Sequence, residues 1–218
     1  MTAITTYDTL QDEVANASGR AAYASGGANA TDTEGWITLV EARVNRILED
    51  RNMHTRTTDS TSSEYNTLPT DFGGMIRMLV QTDPERRVEF IAQENYDRAY
   101  AGASTGYPRV YTIEGDSYRL GPAPDDTYTI EYVYRKRVPA LSDANTSNWL
   151  LTDNPDLYLY GTLVEMGLHL EYPSTPAAQT LLAWQLRYDE CVQTLKRMGR
   201  KEKYETSAPQ SRPDFATP

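Results

Sequence analysis

The chain carries few of the residues that most enzymes use for chemistry. Its 218 residues include one cysteine, Cys191, and two histidines, His54 and His169. A lone cysteine excludes an intramolecular disulfide framework. Positive charge is also short, with 21 Lys and Arg against 31 Asp and Glu, a net charge of −10 and a pI near 4.7. Binding phosphate needs a basic face, so a surface of this balance repels nucleic acid. No run approaches the ~18 apolar residues of a membrane span. The opening MTAITTYDTLQDEV has neither a basic n-region nor an apolar h-region, so no signal peptide is expected. Phenylalanine is scarce at 3, whereas tyrosine reaches 16. Tyrosine joins an apolar ring to a polar tip, which suits surfaces that become interfaces and also suits half-buried strands. The remaining balance, 39% hydrophobic and 24% charged, is that of a globular chain able to bury one core, with or without an insertion.

Periodicity divides the chain into thirds. Tyr7, Leu10 and Val14 predict a helix over 6–18, followed by the small, Gly-rich loop GRAAYASGGANAT. Asp32 or Thr33 is expected to cap a helix over 33–50, with Trp36, Val40, Val44, Ile47 and Leu48 as its stripe. The polar stretch TRTTDSTSSEYNT reads as a loop or exposed hairpin, ended by LPTDF. ERRVEFIAQENYDRAYAG predicts a short strand and a short helix. The segments 110–113, 118–120 and 128–134 then alternate, separated by the turn chemistry of EGD and GPAPDD, as a small antiparallel meander. A helix over 155–170 follows, with Asn154 or Asp153 as cap and Pro155 in its first turn. Leu157, Leu159, Tyr160, Leu163 and Val164 make it apolar nearly all round, so it is expected in a core or at a subunit interface. A last helix over 177–199 carries the stripe Leu181, Trp184, Tyr188, Val192 and Leu195. The fold class read from this order is α+β: a helical bundle from the N- and C-terminal helices with a small antiparallel β-sheet, about 62–141, inserted. Residues 1–204 read as one domain, and 205–218, with three prolines and little to bury, as a flexible tail.

No catalytic or metal constellation stands out, and none is expected. The two histidines lie far apart in different kinds of element, and Cys191 sits beside an apolar stripe, as a small hydrophobe would. DANTSN at 143–148 begins like a calcium loop but lacks the Gly and Glu that complete one. Asp125 and Asp126 fall in a Pro-rich turn, and GASTGYP lacks phosphate-loop spacing and its lysine. Lys196, Arg197, Arg200, Lys201 and Lys203 crowd the end of the last helix. They suit either the helix dipole or a docking patch for an acidic partner.

LPTDF at 68–72, YPRVYTIEGDSYRLGPAPDDTYTIEYVYRKRVPALS at 107–142 and NWLLTDNPDLYLYGTLVEMGLHL at 148–170 carry, in order and spacing, a resemblance. Over roughly residues 36–200 the chain resembles the head-to-tail adaptor proteins of tailed bacteriophages, the group that includes the tail tubular A proteins. The resemblance implies a non-enzymatic virion protein of the neck, assembled in the host cytoplasm without cofactor or membrane. It implies a ring, twelve copies in the typical case, between the portal protein and a tail nozzle or stopper protein. Genomic double-stranded DNA would pass through that ring without sequence-specific binding, and an acidic lining would suit its passage. The C-terminal segment is then expected to dock on the portal through Lys196, Arg197, Arg200, Lys201, Lys203, Pro209 and Pro213. Two other readings compete: a carbohydrate-binding virion tail protein whose meander tyrosines stack on sugars, and a virion-associated hydrolase, for which an acid/base pair is missing.

Overall fold

The computed structural model describes residues 3–82, 84–100, 102, 104–170 and 175–205, with the side chains of 175–177 and 200–205 outside that description. Along the chain run α1 (Tyr7–Ser18), α2 (Ala30–Ile47), β1 (His54–Thr61), β2 (Tyr65–Thr67), β3 (Phe72–Val80), β4 (Arg86–Phe90), α3 (Gln93–Tyr100), β5 (Val110–Glu114), β6 (Ser117–Gly121), β7 (Tyr128–Lys136), α4 (Trp149–Asp153), α5 (Pro155–His169) and α6 (Thr175–Glu205). They fall into two compact units. One joins Met1–Arg51 to Val138–Pro218, and the other is Asn52–Arg137.

The first unit is helical, and its helices begin where local chemistry supplies partners. Thr6 opens α1 by accepting from the Thr9 amide at 3.3 Å, while the Thr9 hydroxyl accepts from the Thr6 amide at 2.9 Å, a reciprocal cap. Gly19, at φ +69°, closes α1 in the left-handed conformation that glycine adopts without strain. In α2 the expected cap at Asp32 or Thr33 is displaced. The helix starts earlier, and Thr33 is buried within it, its hydroxyl donating to the Tyr23 carbonyl at 2.9 Å. Pro155 opens α5, where a missing amide costs nothing.

Helix α5 is the axis of this unit and packs against α1, α2, α4 and α6. Its apolar residues face neighbours on several sides, which explains the absence of a polar stripe. Gly161 marks the tightest approach. A Cβ there would sit 2.9 Å from Val40 Cγ1 on α2 and 3.0 Å from Tyr188 Cε2 on α6.

The second unit corrects the expected architecture. In place of a small antiparallel insert in a helical bundle, it is a seven-stranded mixed sheet that curls into a nearly closed barrel, ordered β1-β7-β3-β4-β5-β6-β2. Three features produce the difference. TRTTDST is a strand, β1, paired without a slip along β7 from His54 opposite Arg135 to Thr61 opposite Tyr128. Its threonines are β-branched and polar, which suits an edge strand but hides it from a hydrophobicity reading. The meander is broken up: β5 and β6 form a hairpin through the positive-φ Gly115, but β7 leaves them to pair with β1 and β3. Finally, β4 and β5 are parallel, with α3 lying in the connection between them, as parallel neighbours require.

Alternation along these strands places Met78, Val80, Val88, Tyr111, Tyr118, Leu120, Ile130, Tyr132 and Tyr134 in one core. Tyr118 and Tyr132 rings lie 5.7 Å apart, Tyr132 and Tyr134 5.9 Å, and Phe72 and Tyr134 5.7 Å. Four of the sequence's 16 tyrosines thus lie inside the barrel, with Tyr107 and Tyr128 packed against its core.

Candidate interaction surfaces

The residues singled out on α5 are mostly internal. Leu157, Leu159, Leu163 and Val164 are buried in the helical unit, and Tyr160 is half-buried. Beside them lies a polar network that the sequence did not announce. Glu41, buried on α2, accepts from the Leu141 amide at 2.9 Å and from the Tyr158 hydroxyl at 3.2 Å. Asn148 caps α4 by accepting from the Leu151 amide at 2.8 Å, and its amide donates to the Pro139 carbonyl and the Tyr158 oxygen, both at 2.8 Å. Burial raises the Glu41 carboxyl above the ordinary carboxylate range, opposed by the hydrogen bonds it accepts from Leu141 and Tyr158. The network pins the extended segment after Arg137 to α2 and α5. A glutamate inside an otherwise apolar stripe was its one sequence signal.

The catalytic candidates are dispersed. His169 ends α5, its Nδ1 2.9 Å from the Glu165 carbonyl and its ring 6.1 Å from Trp36. His54 opens β1 in the other unit, exposed and opposite Arg135. Cys191 donates to Asp156 at 3.1 Å, and burial together with that carboxylate pushes its thiol up to about 12. A thiol so raised stays protonated at neutral pH and makes a poor nucleophile. Asp125 accepts from the Tyr128 hydroxyl and Asp126 from the Thr127 amide, both at 2.7 Å, so both shape a turn. Among the described residues no three of His, Cys, Asp and Glu gather as a metal-binding group, and no helix is long and apolar enough to cross a membrane.

The basic end of α6 is partly in view. Lys196 is half-buried at the rim of a shallow apolar groove formed by Val44, Ile47, Leu48, Leu157, Val192 and Leu195. Arg197 is exposed and donates to the Gln193 carbonyl at 3.3 Å. The α6 backbone continues through Arg200, Lys201 and Lys203. Pro209 and Pro213, with the expected flexible tail from 206 onward, lie outside the described residues. Farther up α6, Leu182 and Leu186 are exposed.

In the sheet unit, charge is organised by two arrangements that sequence reasoning missed. Arg119 lies 4.3 Å from the centre of the Tyr96 ring and 4.9 Å from that of Tyr65. It reaches Glu64 at 2.6 Å, Asp97 at 3.2 Å and Glu114 at 3.6 Å. It therefore ties α3, β2 and β6 together. Glu131, buried on β7, accepts from Arg56 on β1 at 2.5 Å, Arg77 on β3 at 3.1 Å and Gln81 at 2.9 Å. The Arg56 bond, then that of Gln81, holds its carboxyl below the usual range. Glu131 stands out in the sequence only as a charge on the alternate face of TIEYVY.

These clusters serve to lock elements together, and what is left for the outside is surface: an apolar groove, a basic helix end and a charged sheet. That is the make-up of a scaffold that meets other macromolecules. A family model described as the SU10 adaptor protein matches residues 5–213. The chain belongs to that family, a family of phage head–tail adaptors with a structural role. No curated protein matches the chain.

Proposed function

We propose that this chain is a structural subunit of a tailed-phage neck, forming a ring beneath the portal that joins the DNA-filled head to the tail and surrounds the DNA path. The observation that carries this reading is the family match over 5–213, nearly the whole chain. In this reading the ring has twelve copies, one side meeting the portal protein and the other a tail nozzle or stopper. The subunit is a virion component assembled in the host cytoplasm, acts without cofactor, catalyses nothing and touches no membrane. Genomic duplex passes through without its sequence being read, consistent with the net charge of −10. Lys196, at the lip of the α6 groove, with Arg197, Arg200, Lys201, Lys203 and the segment bearing Pro209 and Pro213, docks on the portal.

The burial of Tyr111, Tyr118, Tyr132 and Tyr134 weighs against the carbohydrate reading, since sugar stacking needs exposed rings. It equally removes those tyrosines as the seal between copies. The test is genetic and biochemical. A phage lacking this chain should accumulate DNA-filled heads and free tails, and added purified chain should join them. Normal particles without the chain would refute the reading.

A further inference from the structure

The sheet unit carries its charge in two separated poles, and the register of three strands fixes them. On the β1-β7-β3 ladder, His54 pairs with Arg135 and Phe72 with Lys136 at one end, while Thr61 pairs with Tyr128 and Val80 with Ile130 at the other. The first end gathers Arg135, Lys136 and Arg137, opposed there by Asp71. The second gathers Asp59, Glu85, Asp125 and Asp126, opposed by Arg86 and Arg87 on the adjoining β4. Arg56, Arg77 and Glu131 lie between, with both guanidinium groups bound to the one carboxylate. The eight steps from Tyr128 to Lys136 along β7 set the ends of this ladder roughly 26 Å apart, at about 3.3 Å per residue. Both poles reach solvent. Arg137, Asp59, Glu85, Asp125 and Asp126 are exposed, and Lys136 is half-exposed.

We propose that these poles are the two halves of one electrostatic contact between neighbouring copies of this chain: the basic end of one sheet unit meets the acidic end of the next. The occupant follows from the presence of both signs. A duplex or another uniform polyanion would be held at one pole and repelled at the other, whereas a second copy satisfies both. Such a contact is head-to-tail. It joins different patches on the two partners, so it closes into a ring or runs on as a filament according to its rotation. The proposal rests on the ring reading above and adds to it which surfaces meet. Opposed rim charges of this kind set register and association rate, and salt screens them over about 8–10 Å.

The test is a charge swap on the full-length chain, read by native mass spectrometry and light scattering at low and high salt. Lys136→Glu with Arg137→Glu makes both poles acidic, and Asp125→Lys with Asp126→Lys makes both basic. Lys136 and Arg137 side chains and both aspartates lie outside the core, and circular dichroism and melting verify that each variant folds. Wild type should associate beyond its 24.6 kDa monomer, less so at high salt. Each variant alone should associate about tenfold more weakly. An equimolar mixture should recover, because every contact between unlike copies is again attractive. Either variant associating like wild type overturns the proposal, as does a mixture that stays dissociated, and as does wild type that is monomeric at both salts. Loss of labelled-duplex binding by the Lys136/Arg137 variant with unchanged self-association would overturn it in favour of a nucleic-acid surface. The ring reading fails separately, if wild-type chain forms no ring on portal-bearing heads.

Discussion

Gly161 gives the sharpest mechanical test of the helical unit. Replacing a mid-helix glycine by alanine ordinarily stabilises, by about 1 kcal/mol, because the glycine backbone loses more freedom on folding. Here the added Cβ would meet Val40 Cγ1 at 2.9 Å and Tyr188 Cε2 at 3.0 Å. Val40 is fully buried and Tyr188 nearly so, at 0% and 4% exposure, so neither has open space to move into. Overpacking of this kind costs ~1–3 kcal/mol. The clash outweighs the propensity gain, and Gly161→Ala should lower stability by about 1 kcal/mol, or roughly 2–4 °C in melting temperature for a chain of this size. Val40→Ala removes the clashing methyls and leaves only the ring edge of Tyr188, which needs to shift by a few tenths of an ångström. In that background Gly161→Ala should be neutral or stabilising. Chemical denaturation of the four proteins gives the cycle, with a coupling of ~1–2 kcal/mol expected. If Gly161→Ala stabilises wild type, or the two changes add within ~0.3 kcal/mol, the packing of α2, α5 and α6 around this point is wrong.

The remaining expectations concern single groups. Glu41 has a raised carboxyl in the folded state, so the native protein holds its proton more tightly and stability falls as pH rises through that carboxyl's titration. Glu41→Gln keeps the acceptor for Leu141 and Tyr158 without the charge. Its stability relative to wild type should improve from pH 4 to pH 7, and a denaturation series showing the opposite slope would contradict the burial argument. Arg119→Gln strips three carboxylates of their shared cation and should cost about 2 kcal/mol in denaturation; an unchanged midpoint would mean the cluster is ornamental. Cys191 should react slowly with a thiol reagent at pH 8 and faster in Asp156→Asn, which removes one of the causes raising its thiol. Replacing His54, His169 and Cys191 by Gln, Gln and Ala should leave head–tail joining intact; failure to join by a folded triple variant would give one of them a role.

Much of the helical unit was legible because its signals are local. Pro155 marks the start of α5, and an apolar residue at nearly every position of 157–166 marks its burial. The sheet was less legible for reasons equally physical. β1 is built of His, Thr, Ser and one charge of each sign, so an edge strand read as a loop or exposed hairpin. The hairpin of β5 and β6 was readable through its turn, but pairing partners at long range are not written in periodicity, and β7 pairs with β3 and β1 across 50 to 81 residues of chain. Asp32 and Thr33 are good caps in composition, yet Thr33 found the buried Tyr23 carbonyl and became interior. The polar clusters around Glu41, Arg119 and Glu131 depend on residues that converge only in three dimensions. The sequence showed each as a lone charge in an apolar or alternating context, which flags a buried pair without naming its partner.

The central claim is that copies of this chain form the ring between portal and tail. It is tested most directly by electron cryomicroscopy of the neck of the phage that encodes it, reconstructed without imposed symmetry. The account predicts a closed ring, twelvefold, directly below the portal, with density for both the helical and the sheet unit in every copy and the DNA path along its axis. The chain found instead in fibres or spikes, or absent from the neck of infectious particles, would contradict it.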